Sequence, residues 1–405
     1  MKIAVIGAGA MGSMLGAYLQ AGGADVTLVV RRKELVDALA SPGLTMKRYT
    51  EGAEDDGGGG SEAAPVPMKA VAGTDGLEVM DAVLLMVKGP DTKAAIESAS
   101  AVIGPETKVV TLQNGVGNTD LIAETVPKEN IYYGCLNMSA IMEAPGVLTA
   151  GLFGTTNIFL GSMVRGAAQQ AFGEELCKLF RAGGVTAEFS GDIDREVWNK
   201  MLVNIAVNAS CGLVRLRGGE AGEDQQFVLL AVDMVKEAIA VAEKCGVALD
   251  FGHFMTQVLP SARKTSGKHY PSMAQDMMIT RSKTEIEFLN GAVERLGKAH
   301  GVPTPVNTTI ARLVRTIEHN YDKQYMPAAG TAKSGGAFLV EIEEKFCKGC
   351  GFCVKYCPKG VLAIRKERSR KGYFPAKAVA PGECIGCLSC AAVCPEAAIR
   401  IRKEA

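Results

Sequence analysis

The chain has 405 residues and a mass of 42.6 kDa, with 44 Lys and Arg against 44 Asp and Glu. Zero net charge excludes the strongly basic class of nucleic-acid-binding and membrane-surface proteins. Because 47% of the residues are hydrophobic, the composition also excludes wholesale disorder, and the length predicts two or three domains.

The first segment of the chain, residues 3–24, carries no charged residue. About 20 apolar residues can cross a bilayer, so a signal peptide or anchor is the first alternative. Six glycines in this segment argue against an isolated lipid-exposed helix. No other run reaches the spanning length. We therefore expect no membrane association and a cytoplasmic protein.

A strand at residues 2–6 is predicted to end in a glycine-rich turn that opens a helix. The turn reads Gly7-Ala-Gly9-Ala10-Met11-Gly12. The first glycine allows a tight turn, the second lets a pyrophosphate approach the backbone, and the third allows close packing of the helix on the strand. These residues predict a dinucleotide-binding site whose phosphates lie at the helix N-terminus.

The end of the next predicted strand, residues 25–30, indicates which dinucleotide binds. NAD sites commonly place an acid here to hold the ribose 2′-hydroxyl. This chain has Arg31 and Arg32 instead. Because a guanidinium suits a phosphate, we predict NADPH as the cofactor, with Arg31 at its 2′-phosphate.

Further short apolar runs alternate with helical patterns up to residue 190. Strands are expected at 82–86, 108–112 and 158–160, which predicts an α/β Rossmann domain over residues 1–190. An acidic, glycine-rich loop is expected at 51–65. Lys88 and Asn114 follow two of the strands, at the sheet edge where open α/β sheets bind ligands.

Residues 191–325 carry helical periodicity and predict an all-helical second domain. Lys200, Asn204 and Asn208 recur at a spacing of four, which places them on one face of a helix that is otherwise apolar. One buried Asn would be ordinary, but three polar groups with a lysine favour a substrate site.

These motifs resemble the ketopantoate reductase (2-dehydropantoate 2-reductase) family over residues 1–325. The similar segments are the glycine turn, Lys88-Gly-x-x-Thr, Gln113-Asn-Gly, Trp198-x-Lys-x-x-x-Asn, Pro271-Ser-Met-x-Gln-Asp and Thr284-Glu-Ile-Glu-Phe-x-Asn-Gly. The resemblance implies NADPH-dependent reduction of ketopantoate to pantoate in pantothenate biosynthesis, in a cleft between the two domains. Asp91 stands where the family commonly has Gln.

The same resemblance implies roles for individual residues. Lys200 matches the catalytic lysine and Glu285 the glutamate paired with the substrate. Four residues match polar groups that surround the substrate or nicotinamide in the family: Asn114, Asn204, Asn208 and Ser272. Lys88, Asn114 and the glycine turn match residues that line the cofactor cleft.

The end of the chain predicts a linker at 326–340 and a small α+β module at 341–405. This module repeats itself at an offset of 37 residues, and each copy carries Cys-x-x-Cys-x-x-Cys-x-x-x-Cys-Pro. That spacing is typical of ferredoxins with two [4Fe–4S] clusters, in which the fourth cysteine of each run ligates the other cluster. One cluster is expected on Cys347, Cys350, Cys353 and Cys394, and the other on Cys384, Cys387, Cys390 and Cys357. A zinc-binding tail is the alternative.

The module is also similar to the delta subunit of 2-oxoacid:ferredoxin oxidoreductases, through Cys-Pro-Lys-Gly-Val-Leu and Lys371-Gly-Tyr-x-Pro. The similarity implies docking to such subunits. Hydride transfer moves two electrons and a cluster moves one, so we expect no part for the clusters in keto-acid reduction. Two functions stay open: a working reductase with an electron-transfer tail, or an electron-transfer subunit whose reductase part only binds nucleotide or acts on another 2-keto acid.

Overall fold

The computed structural model describes residues 1–49, 64–259, 270–324 and 338–403. Most of the loop expected at 51–65, and residues 326–337 of the expected linker, lie outside these ranges. Among the described residues, no helix combines the length and the apolar character needed to cross a membrane.

The first domain is built on an eight-stranded sheet with a smaller sheet beside it. Apolar runs form the central strands, which are buried on both faces. The strands, in chain order, are β1 Lys2–Ile6, β2 Asp25–Val29, β3 Thr45–Tyr49, β4 Lys69–Val71, β5 Ala82–Leu85, β6 Lys108–Thr111, β7 Ile131–Leu136, β8 Met138–Ala144, β9 Val147–Leu152, β10 Ile158–Ser162 and β11 Ala187–Phe189.

The large sheet has the order β11-β10-β7-β6-β5-β1-β2-β4. The six strands from β7 to β4 in this order are parallel, whereas β10 runs antiparallel to β7 and β11 runs parallel to β10. The Rossmann expectation is therefore confirmed, while the mixed edge was not predicted. Five helices accompany this sheet: α1 Ala10–Ala21, α2 Lys33–Ala40, α3 Thr92–Ser98, α4 Asn118–Ile122 and α5 Ala167–Ala182.

The smaller sheet, in the order β3-β9-β8, packs against α1 on one face of the domain. The sequence prediction missed it. Strand β3 pairs with β9, which lies about a hundred residues further along the chain, so no local pattern links the two.

The second domain is helical, as expected. Its helices are α6 Ile193–Val214, α7 Gly218–Glu223, α8 Gln225–Lys244, α9 Phe251–His253, α10 Ser272–Gln275, α11 Asn290–His300 and α12 Pro305–His319. The long helix α6 lies in a separate core formed with α8, α11 and α12. One end of α6 also packs on β7 and β10, which brings its polar stripe to the boundary of the two domains.

The cysteine-rich module contains β12 Phe338–Ile342, α13 Phe352–Lys355, β13 Leu362–Ile364, β14 Ala376–Ala378, α14 Ser389–Ala392 and β15 Ile399–Lys403. Strands β12 and β15 pair antiparallel, and so do β13 and β14. Residues 338–340 were assigned to the linker, but they are part of β12. The prediction was wrong there because the partner strand lies at the far end of the module.

Candidate active site

The glycine turn after β1 has the geometry of a phosphate cradle. Gly7 has a φ of +82°, and a Cβ there would lie 2.5 Å from Val87 Cγ1. A Cβ on Gly12 would lie 2.9 Å from the Gly7 carbonyl oxygen, so helix α1 can pack closely only without one. A Cβ on Gly9 would meet nothing closer than 4.0 Å. The open side of Gly9 therefore faces free space beside the start of α1.

The start of α1 is free to bind an anion. Gly9 caps the helix without any side-chain hydrogen bond, and the first turn holds no acidic residue. The backbone N–H groups of a helix N-terminus bind phosphate in this situation. The residues of this turn thus fit the pyrophosphate of a dinucleotide.

The rim beyond β2 carries Arg31, whose side chain is 90% exposed. Its guanidinium lies 3.7 Å from the Asp91 carboxylate, which follows β5. An exposed pair at this distance contributes little to stability. The Arg31 side chain can therefore rotate toward a bound ligand, although its guanidinium lies next to the Asp91 carboxylate in this structure.

Helix α6 presents the predicted polar stripe. Asn204 and Asn208 are buried and Lys200 is partly buried. The Asn204 side chain donates to the Asn114 oxygen at 3.4 Å, which joins the two domains. The side chains of Lys200 and Asn208 make no hydrogen bond with any described residue.

Asn114 is the centre of the arrangement. Its Nδ2 donates a hydrogen bond to Glu285 Oε2 at 3.1 Å, while its Oδ1 accepts a hydrogen bond from Asn204 Nδ2. The Gly89 backbone N–H also donates to the Glu285 carboxylate. The structure thus brings three of the sequence-predicted site residues, Asn114, Asn204 and Glu285, into one hydrogen-bonded chain.

Two glycines let the Glu285 turn reach the Rossmann loops. A Cβ on Gly115 would lie 2.1 Å from the Phe288 carbonyl oxygen, and a Cβ on Gly89 would lie 2.4 Å from the Phe288 ring. The Val116 N–H donates to the same Phe288 oxygen at 2.9 Å. The close approach of these backbones fixes the position of Glu285 against Asn114.

Lys88 joins a second interdomain contact that the sequence prediction did not include. Its Nζ lies 2.6 Å from Asp276 Oδ1 and 3.3 Å from Ser282 Oγ. Burial raises the pKa of Asp276 although Lys88 opposes the shift. Asp276 was noted only as part of the Pro271–Asp276 motif. Its role opposite Lys88 could not be read from sequence because 188 residues separate the two.

Burial shifts the pKa values of both candidate catalytic groups toward neutrality. The pKa of Lys200 is lowered from its usual value by burial, which the Cys135 thiol partly offsets. The pKa of Glu285 is raised by burial, which donors from Asn114 and Gly89 partly offset. The place of Cys135 beside Lys200 was not predicted from the sequence.

Ser272 is exposed and begins α10, which packs against the C-terminal part of α6 near Gly212. Its hydroxyl makes no hydrogen bond with a described residue. Within the described residues, the side chains of Ser272, Asn208 and Lys200 are therefore not members of the hydrogen-bonded chain.

The eight cysteines of the module line two small cavities. What we call the first cavity is lined by Cys347, Cys350, Cys353 and Cys394. The second cavity is lined by Cys357, Cys384, Cys387 and Cys390. Each cavity takes three cysteines from one copy of the repeat and the fourth from the other.

The two cysteine sets are those expected for two [4Fe–4S] clusters, each with three ligands from one run and the fourth from the other. Backbone N–H groups also point at the sulfurs, with Val361 donating to Cys357 Sγ at 3.2 Å and Ala398 to Cys394 Sγ at 3.3 Å. Such bonds are typical of iron–sulfur ligands.

Comparison with protein-family models gives three matches. Residues 3–164 match "Ketopantoate reductase PanE/ApbA", and residues 192–318 match "Ketopantoate reductase PanE/ApbA C terminal". Residues 346–398 match a "4Fe-4S dicluster domain".

Several curated proteins and solved structures resemble the chain. The 2-dehydropantoate 2-reductase of Lactococcus lactis is 32% identical over 322 residues, which cover 78% of this chain and 98% of that protein. The enzyme of the same name from Pyrococcus horikoshii is 30% identical, with the same coverage. A structure of D-mandelate dehydrogenase with NADH and anilino(oxo)acetate has a TM-score of 0.70 at 29% identity, covering 80% of this chain and all of that one. A PanE/ApbA family ketopantoate reductase from Ralstonia eutropha JMP134 has a TM-score of 0.68 at 26% identity, with the same coverage.

Proposed function

The chain belongs to the ketopantoate reductase family, and from this premise we propose that it reduces 2-dehydropantoate to pantoate with NADPH, in pantothenate biosynthesis. The observation that carries the proposal is the hydrogen-bonded chain Asn204–Asn114–Glu285 across the two domains, with Lys200 one turn away on the same helix.

The chemistry assigned to these residues follows from where charge develops. Bound NADPH supplies a hydride to the keto carbon. Negative charge then grows on the carbonyl oxygen, and the Lys200 ammonium stabilises it and donates the proton. Burial makes this ammonium a stronger acid than an exposed lysine.

The remaining polar groups bind and orient. Glu285, held by Asn114 and Gly89, accepts from the substrate hydroxyl or from Lys200. Asn208 and Ser272, whose side chains make no hydrogen bond with a described residue, are assigned to the substrate carboxylate, which they can hold without adding charge. Lys88 lies on the cofactor side, where its contact with Asp276 joins the domains over the cleft.

The proposal that NADPH rather than NADH binds rests on Arg31 at the end of β2. The second candidate is an NADH-dependent reductase of another 2-keto acid. Asp91 beside Arg31 favours it, and so does the likeness to a D-mandelate dehydrogenase solved with NADH.

One assay separates these candidates. Initial rates of NADPH and NADH oxidation are measured with 2-dehydropantoate, 2-oxoisovalerate, pyruvate and phenylglyoxylate. We expect the highest kcat/KM with NADPH and 2-dehydropantoate. A higher kcat/KM with phenylglyoxylate and NADH would favour the second candidate. If no keto acid were reduced, the reductase domains would be assigned nucleotide binding alone.

For the module we propose two [4Fe–4S] clusters, one in each cavity, and electron relay as their role. The cysteine sets and the dicluster match support the clusters. Subunits of a 2-oxoacid:ferredoxin oxidoreductase are the proposed partners, on the motif similarity alone. Iron and sulfide analysis of protein purified without oxygen should give eight iron and eight sulfide per chain. Four of each would mean one cluster per chain instead of two.

We also infer a reducing compartment such as the cytoplasm. Thiolate clusters persist where disulfides are not formed.

A further inference from the structure

The two copies of the repeat in the cysteine-rich module can be compared directly, because each position in one copy has a counterpart 37 residues away. The fourth cysteine of each run is held in the same way. Val361 donates to Cys357 Sγ, and its counterpart Ala398 donates to Cys394 Sγ, at nearly equal distances. The two cavity rims can therefore be compared position by position.

The first difference is a strained leucine. Gly351 adopts a φ of +77° after the second cysteine of its run, and its counterpart Leu388 adopts +61°. This left-handed conformation costs nothing for glycine but is unfavourable for leucine. Leu388 is nevertheless 51% exposed and lies at the rim of the second cavity. A strained, exposed apolar side chain stabilises neither the backbone nor the core, which indicates a functional contact.

The second difference is an unpaired lysine. At the first cavity, Lys348 and Glu396 form an ion pair at 3.1 Å. Their counterparts at the second cavity are Ile385 and Lys359. Lys359 is exposed and forms no ion pair with a described residue. The charge that is neutralised at one rim is thus left free at the other.

The third difference lies just before the fourth cysteine of each run. Lys355 and Tyr356 precede Cys357, and both are exposed, with the Lys355 ammonium 5.6 Å from the Tyr356 ring centre. The counterparts before Cys394 are Ala392 and the buried Val393. An exposed aromatic ring and a second lysine therefore directly precede the fourth cysteine of one run, and that cysteine, Cys357, lines the second cavity.

We propose that the surface formed by Leu388 and Lys359 at the second-cavity rim, together with Lys355 and Tyr356 just before Cys357, docks an acidic protein that carries a one-electron centre. Exposed apolar and aromatic side chains combined with lysines are common in such interfaces. Charge favours an acidic partner, since residues 341–405 hold 13 basic and 7 acidic residues, an excess of six that is larger than the charge of about −2 that each oxidised [4Fe–4S] cluster with its four thiolates would add. Four of those acids, Glu341, Glu343, Glu344 and Glu396, already pair with bases of the module.

The docked reaction is a transfer of one electron. The reduced carrier loses one electron and the cluster in the second cavity gains it, with no bond or proton exchanged. The inference rests on the proposed function, because it requires a cluster in that cavity. It adds which of the two clusters exchanges electrons with the partner.

The test uses the full chain with its clusters and a small acidic two-cluster ferredoxin as the probe. Binding of the oxidised proteins is measured by calorimetry, and electron transfer from the reduced probe by stopped-flow absorbance at several salt concentrations. Iron content and the EPR signal after dithionite reduction are recorded for every variant, so that cluster loss is distinguished from lost docking.

Two variants with matched controls decide the result. Leu388→Asn relieves the strain, since Asn tolerates the left-handed region, and we expect about tenfold weaker binding without a lower melting temperature. Its control is Leu313→Asn, at a 47% exposed leucine of α12. Lys359→Glu should lower the low-salt rate constant about tenfold and flatten its salt dependence. Arg370→Glu makes the same charge change at an exposed residue that lines neither cavity, and should alter the rate less than twofold.

Three results would overturn the inference. One is a cluster-loaded wild-type chain that neither binds the probe nor accepts its electron. Another is an equal effect of Arg370→Glu and Lys359→Glu, which would mean general attraction without a docking site. The last is a Leu388→Asn variant that melts earlier yet binds normally. A chain that loads no cluster overturns both this inference and the proposed relay.

Discussion

At the scale of single residues, Lys200 decides whether the cleft is catalytic. Its ammonium makes no hydrogen bond with a described residue, so the substrate oxygen has no competitor in the described structure. We expect Lys200→Ala to lower kcat by 10²–10⁴-fold, as the loss of a proton donor does. Lys236→Ala, at a lysine of α8 outside the site, is the control. A rate close to wild type in Lys200→Ala would remove the proposed mechanism.

The pH profile should report both shifted groups. Lys200 must be protonated to donate, and its pKa is lowered, so kcat/KM should fall as pH rises well before the 10.5 of an ordinary lysine. Glu285 must be ionised to accept, and its pKa is raised, so activity should fall on acidification above the usual 4.5. Glu285→Gln should abolish the acid limb and leave the alkaline limb in place. If the pH profile of Glu285→Gln kept both limbs, the fall in activity at acid pH would belong to another group.

Cofactor choice is also a single-residue question. Asp91 places a negative charge 3.7 Å from Arg31, where it would repel a 2′-phosphate. We expect Asp91→Asn to lower the KM for NADPH several-fold and leave that for NADH unchanged. Arg31→Asp should shift the preference toward NADH. If neither variant alters the ratio of kcat/KM for the two cofactors, the 2′-phosphate is bound elsewhere.

Sequence reasoning reached the residues that local spacing or a motif identifies. The spacing of Asn204 on a helix and the position of Asn114 after a strand predicted a shared site, and these two side chains are in contact. It could not reach Cys135 beside Lys200 or Asp276 opposite Lys88. Those neighbours come from different elements, and only the packing of α6 and α10 against the sheet brings them together.

At the scale of elements, the turn holding Phe288 couples the two domains. Gly115 has a φ of +84°, and a Cβ there would overlap the Phe288 carbonyl oxygen. Gly76 has a similar φ of +76°, but a Cβ there meets nothing within 4 Å. Gly76→Ala should therefore cost only the backbone strain, about 1 kcal/mol. Gly115→Ala should add the loss of the interdomain contact.

Thermal melting and steady-state kinetics measure this pair. We expect the Gly115→Ala variant to melt several degrees below Gly76→Ala and to lose kcat, because Glu285 follows the Phe288 turn. Equal melting temperatures in the two variants would show that the turn can move without cost.

The elements themselves were predicted best where apolar runs are continuous. The strands at 2–6, 82–85 and 108–111 agree with the sequence within one residue, since both of their faces are buried. The strands of the small β3-β9-β8 sheet mix exposed and buried residues and lack that signal. The pairing of β12 with β15 escaped for a further reason: its hydrogen bonds join residues about sixty apart.

At the scale of the whole molecule, the cysteine-rich module and the reductase have separate cores. The module core holds few buried residues apart from its cysteines, so cluster binding should supply much of its stability. Removal of iron and sulfide from the full chain should unfold residues 338–403, seen as protease sensitivity there. NADPH oxidation should remain within twofold of the untreated protein. Parallel loss of reductase activity would mean that the clusters support the reductase fold.

The antiparallel pairing of β12 and β15 places Phe338 opposite Lys403, so the polypeptide enters and leaves the module at one edge. A unit with adjacent ends can be joined to a host protein, or deleted from it, without rethreading the host. Attaching or removing the module then changes one connecting segment and leaves the strand order of the reductase domains unaltered. A gene fusion of this kind adds a complete cysteine-rich module in a single step.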